Sequence, residues 1–130
     1  MKSIEFLKSL FVRFRYPISL PQDIEEATGV ELSNALSFEE MVEQLSHCCF
    51  CPKKIQKFMP RNKAESIFKT ARLCERFCDR TLFSFCFTEG WVEFVLKFDS
   101  YSRLRRVYLM HKRVKEDLGI EIPLPLTEVQ

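Results

Sequence analysis

Residues 81–98 read TLFSFCFTEGWVEFVLKF, and this stretch decides the fold class. Phe83, Phe85 and Phe87 alternate with Leu82, Ser84 and Cys86, and after Thr88-Glu89-Gly90 a second set, Val92, Phe94, Leu96 and Phe98, alternates with Glu93 and Lys97. A period of two sends successive side chains to opposite faces of an extended chain, so the pattern predicts two strands joined by a turn at Gly90. Asp99-Ser100-Tyr101-Ser102 is a second turn signal, leading into a third strand from Leu104 to His111. Gly119 to Leu124 supplies a fourth, confined to an edge because Pro123 has no N–H to donate to a ladder. The expectation is a three- to four-stranded antiparallel β-meander over about residues 81–124.

Upstream the period is helical. Ile4, Leu7, Leu10, Phe11 and Phe14 line one stripe behind a Ser3 cap, and Pro17 stops it. A short helix follows, with Ser19 as cap, Pro21 in its first turn and Gly29 as its left-handed stop. Ser37-Phe-Glu-Glu40 fits a capping box, behind which Phe38, Met41, Val42 and Leu45 form an apolar face. Ser46 to Met59, with three cysteines and a proline, reads as a loop. Ala64, Ile67, Phe68, Ala71, Cys74, Phe77 and Cys78 then give the longest run at helical spacing and predict a main helix over Arg61 to Cys78. The expected fold class is α+β: N-terminal helices, about 1–80, packed on the C-terminal meander as a single domain.

A chain of 130 residues with 46% apolar residues, 13 Phe and 3 Gly is too apolar and too aromatic for disorder. Folding it should bury roughly 65% of the surface the unfolded chain exposes. Glu5, Lys8, Arg13 and Arg15 interrupt the start, and no apolar run is long enough to span a bilayer. That start also shows no small-residue cleavage site for export, so the expected location is the cytoplasm, with reduced cysteines and no membrane partner.

Net charge is only +2, but it is unevenly placed. Residues 17–52 hold seven acidic residues and no Lys or Arg, whereas residues 53–115 hold sixteen basic residues against six acidic ones, a surplus of ten. An acidic helical half and a basic sheet half complement each other, which favours a protein partner or a second copy of the chain as a homodimer.

Arg103, Arg105, Arg106, Lys112, Arg113 and Lys115 crowd one strand and its exit, with Tyr101 and Tyr108 among them. Cationic groups meet phosphates and aromatic rings take unstacked bases, so this stretch is the candidate nucleic-acid contact, with the four arginines and two tyrosines as its site residues. Alternation sends Arg105 and Arg106 to opposite faces, however, so all of the charges cannot share one surface. Trp91 falls in the strand phase opposite Val92 and Phe94 and needs cover, from the N-terminal helix or from a partner.

His47, Cys48, Cys49 and Cys51 offer soft metal ligands within five residues. Their spacing does not match the paired two- to four-residue gaps of structural zinc sites, so no cofactor is expected. Cys74 and Cys78 share the apolar stripe of the expected main helix, as buried thiols do. Residues 23–30 resemble the first helix and glycine turn of a helix-turn-helix, but Glu25 occupies a position usually kept small and the following segment is acidic, which phosphate would repel. His111, ending a strand beside Lys112, reads as a solvated edge residue. With two histidines and no glycine-rich phosphate loop there is no triad to assign. The sequence therefore points to a non-enzymatic interaction or regulatory module, with nucleic-acid binding as the alternative and metal binding as a second one.

Overall fold

The computed structural model describes residues 19–30, 32, 37–46, 52–112, 114 and 119–125. These form helices α1 (Pro21–Thr28), α2 (Phe38–Ser46) and α3 (Arg61–Ile67), and strands β1 (Leu73–Arg76), β2 (Arg80–Cys86), β3 (Trp91–Phe98), β4 (Leu104–His111) and β5 (Ile120–Ile122). The class is α+β, with the strands in one antiparallel sheet in chain order.

The alternation fixes the buried face. Phe83 pairs with Phe94 and Phe85 with Val92 across β2 and β3, while Phe94 pairs with Leu109 and Leu96 with Val107 across β3 and β4. Ile24 and Ala27 of α1, Met41, Val42 and Leu45 of α2 and Ala64 of α3 join them in one buried cluster. Phe68, just past α3, stacks on Phe83 at 5.1 Å and tilts against Phe94 at 5.3 Å. A register shift between Lys97 and Phe98 pairs Lys97 with Arg106 but Phe98 with Leu104, which leaves Arg105 as the extra residue of a bulge.

Local chemistry sets the helix ends. The Leu20 N–H donates to Asp23 Oδ2 (2.9 Å), and α1 stops at Gly29, whose φ of +76° is open to a residue without a Cβ. In α2 the Glu40 N–H donates to Ser37 Oγ at 3.2 Å, and the Ser37 hydroxyl meets the Glu40 carboxylate at the same distance. The sequence also assigns Ser19 as a cap. It is instead buried and exchanges two hydrogen bonds with Cys86, its N–H to Cys86 O (2.6 Å) and the Cys86 N–H to its Oγ (3.0 Å), so it ties α1 to the end of β2.

The expected main helix over Arg61 to Cys78 is corrected. Helix α3 ends at Ile67, and Leu73–Arg76 is an edge strand with Leu73 opposite Ser84 and Arg76 opposite Thr81. Helical spacing is met as far as the buried Phe68, and Ala71 still packs partly against the core, but all four residues of β1 beyond it are exposed. The outer edge of β2 offers a ladder of backbone groups that need partners, and the segment satisfies those. The sheet therefore has five strands instead of three or four, and the helical part does not extend to residue 80. Cys74 and Cys78 are exposed, off any buried helical stripe.

The segment before α3 runs beside β4: the Phe58 N–H donates to Leu104 O (2.6 Å) and the Leu104 N–H to Met59 O (2.9 Å), with Phe58 at φ +71°. His111 is also corrected. Opposite Val92 it faces the core and is 5% exposed. The helix expected over residues 4–14 and its cover over Trp91 lie outside the described residues. Among the described residues no helix is long and apolar enough to cross a membrane.

Candidate functional site

Two turns lie at one end of the sheet, residues 77–80 between β1 and β2 and residues 99–102 between β3 and β4, linked by a hydrogen bond from Phe98 N–H to Asp79 O (2.9 Å). The first turn of α3 is drawn between them. Arg61 is buried, and its guanidinium donates to the carbonyls of Cys78 (2.8 Å), Phe77 (2.5 Å) and Arg80 (3.1 Å) and to Thr81 Oγ1 (3.0 Å), while its plane lies over the Phe98 ring at 4.8 Å. The Arg61 N–H donates to Ser102 O (2.9 Å), so one residue holds both turns.

Glu65, one helical turn on, accepts from Arg61 (3.2 Å), Arg76 (2.9 Å) and the Thr81 hydroxyl (2.5 Å). Partial burial would push its carboxyl up, but these hydrogen bonds outweigh that and hold it below the ordinary range. In the second turn Asp99 Oδ1 accepts the N–H groups of Tyr101 (2.9 Å) and Arg103 (3.0 Å), and Oδ2 lies 3.5 Å from Arg105. This fixes the turn on which Tyr101 projects, 84% exposed.

The result is a basic, aromatic rim. Pro60, Arg61, Asn62, Arg76, Tyr101, Ser102 and Arg103 line a cavity of about 320 Å³. Phe58 and Phe77 are exposed beside it, with the Arg105 guanidinium over the Phe58 ring at 4.8 Å. Glu65 serves Arg61 and Arg76, Asp79 serves Arg80, and Asp99 serves Arg105. Arg103 reaches only Phe58 O, at 3.5 Å, and no carboxylate pairs with it among the described residues.

The structure thus brings together Tyr101, Arg103 and Arg105. It separates Arg106 and Tyr108, which occupy the sheet face away from the core: Arg106 reaches Glu121 and the Tyr108 hydroxyl (3.5 Å each), and Tyr108 is buried with Lys97 over its ring at 5.7 Å. Trp91 is exposed at the opposite end of β3, about 23 Å from Phe98 at the usual rise per residue. Arg113, His47, Cys48, Cys49 and Cys51 lie outside the described residues. Among the described residues no cluster of three or more His, Cys, Asp or Glu side chains is placed to hold a metal. Partial burial and the Glu65 carboxylate raise the Cys74 thiol above its ordinary value, which Arg76 only partly offsets, so Cys74 is a poor nucleophile.

Sequence reasoning missed Phe58, Arg61, Asn62, Arg76 and Phe77. One signal was available, because a basic residue in a first helical turn opposes the helix dipole and therefore needs a compensating partner. The sequence cannot show that the compensation comes from turn carbonyls.

At the other end of the sheet, Ser46 Oγ lies 3.0 Å from His111 Nε2, which invites a nucleophile–base reading. The Ser46 hydroxyl also lies 2.7 Å from Val42 O, and the tautomer of His111 that carries its proton on Nε2 satisfies both contacts, with Nε2 donating to Oγ and Oγ to the carbonyl. A second cavity of about 280 Å³ lies there, lined by Ser37, Phe38, Glu39, Val42, Glu89, His111 and Lys112, where charges of both signs meet. No family model, curated protein or solved structure matches this chain.

Proposed function

We propose that the chain is a non-catalytic interaction module that docks its partner on the turn end of the sheet. The observation that carries this reading is the convergence of Tyr101, Arg103, Phe58 and Phe77, exposed on segments held by Arg61 and Asp99. A surface built on fixed turns spends little ordering entropy on binding, and Tyr and Arg are the residue types that carry binding energy at interfaces. Ser46 Oγ lies within hydrogen-bond reach of both Val42 O and His111 Nε2, a bridge between α2 and β4 that is consistent with a structural role for that pair.

The test compares three immobilised proteins in capture from the native cell: the parent, a Tyr101→Ala/Arg103→Ala variant, and a Glu89→Ala/Lys112→Ala control from the opposite end. The reading expects bound material to fall at least about fivefold for the rim variant and to stay at parental level for the control. Equal capture by all three would overturn it.

A further inference from the structure

Resting on that docking surface, we propose that its ligand is a single-stranded nucleic acid, with a base stacked on Tyr101 and a phosphate on Arg103. Three guanidinium groups and no carboxylate line the rim cavity, which sets the ligand's charge as negative. Arg61 and Arg76 are committed to Glu65 and to backbone carbonyls, so the group with donors to spare is Arg103, whose planar fork suits a phosphate oxygen pair.

Tyr101 separates nucleic acid from an acidic protein segment. An acidic peptide would use the arginine and leave both faces of an 84% exposed ring unused, whereas an unstacked base covers one of them. The Asp99 carboxylate already holds the Tyr101 and Arg103 amides, so ring and guanidinium are offered from one fixed turn, two residues apart. A cavity of about 320 Å³ accommodates one nucleotide and not a groove of duplex, whose bases are stacked out of reach. Phe77, exposed on the neighbouring turn, offers a second ring to the same strand.

Fluorescence anisotropy tests this with labelled RNA and DNA single strands of about a dozen nucleotides, the matching duplex, and polyglutamate as competitor. At about 50 mM salt both single strands should bind more tightly than the duplex, and binding should weaken as salt rises to about 200 mM. Tyr101→Ala should weaken single-strand binding about tenfold, and Tyr101→Phe, which keeps the ring, should retain it. Arg103→Gln should lower the slope of log affinity against log salt by roughly 0.7, the share of one phosphate contact.

The proposal is overturned if no single strand binds at the lower salt, or if Tyr101→Ala binds as the parent does. Competition by polyglutamate at equal charge would also overturn it and assign the rim to an acidic protein segment. If nucleic acid fails while the rim variant still loses its captured partners, the ligand class falls and the docking surface stands. If capture is unchanged as well, both fall.

Discussion

The two ends of the sheet are closed by different chemistry. At the end carrying residues 77–80 and 99–102, the buried Arg61 guanidinium and the Glu65 carboxylate tie the first turn to α3, the Arg61 N–H reaches Ser102 O, and Asp99 braces the second turn from within. At the other end, Phe38 packs against Phe87 at 5.4 Å beside the Gly90 turn, and Ser19 and Ser46 pin α1 and α2 to β2 and β4. Where polar groups bind the turns, aromatic side chains are not needed for closure, and Phe58, Phe77 and Tyr101 are left facing outward. At the other end Phe38 and Phe87 are used in closing the turn, and Trp91 beside it is the exposed ring there. The first end can therefore offer a binding surface while remaining ordered.

The largest effect that would break this contrast is at Arg61. Arg61→Leu removes the guanidinium that the Phe77 and Cys78 carbonyls accept from, while Arg80 O keeps the Phe77 N–H and Glu65 keeps Arg76 and Thr81, and it should cost about 3 kcal/mol in urea unfolding. A loss under about 1 kcal/mol would mean that the turns hold without the guanidinium. The same network has a pH signature. Because the folded carboxyl of Glu65 titrates below the ordinary value of 4.5, its contribution is fully present above that value and is lost as pH falls through the folded pKa. Glu65→Gln should flatten this acid limb.

At the opposite end the corresponding probe is Gly90. A Cβ there would stand 2.9 Å from the Phe38 ring carbons, so Gly90→Ala should cost about 1–2 kcal/mol, and less in a Phe38→Leu background where the obstacle is removed. Equal costs in the two backgrounds would show that the ring is not what fills the turn.

The smallest expected effect lies between the two ends, at Glu93 on the sheet face away from the core. Burial, reinforced by Glu75, raises its carboxyl despite a hydrogen bond from Ser84. The folded state then binds the proton more tightly than the unfolded chain, so stability falls as pH rises from 4.5 through the raised value. Glu93→Gln should gain a few tenths of a kcal/mol at neutral pH and nothing in acid. A loss at neutral pH would show that the charged form is favoured.

Most of the meander was legible because its signal is local. The alternation in β2 and β3, the turn at Gly90 and the span Leu104 to His111 depend on period and turn residues alone, and β5 lies at the edge as expected, though it ends at Ile122, before Pro123. Strand β1 was not legible. Cys74, Phe77 and Cys78 keep helical spacing, and what makes Leu73–Arg76 a strand is the unpaired edge of β2, which is distant information. The candidate site divides similarly. Tyr101 and Arg103 stand out as an exposed turn aromatic beside an arginine, whereas Tyr108 carries the same letters in sequence but is buried.

The sequence by itself determined the fold class, the core-facing phase of the central strands and the excess of positive charge in the second half, since each follows from residue type and period. Only the tertiary structure decided which charges meet. Arg61, Arg76, Arg80 and Arg105 have carboxylate partners and Arg103 has none among the described residues. Pairing depends on distances between segments far apart in the chain, set by register, a bulge and a buried guanidinium, and periodicity records none of these.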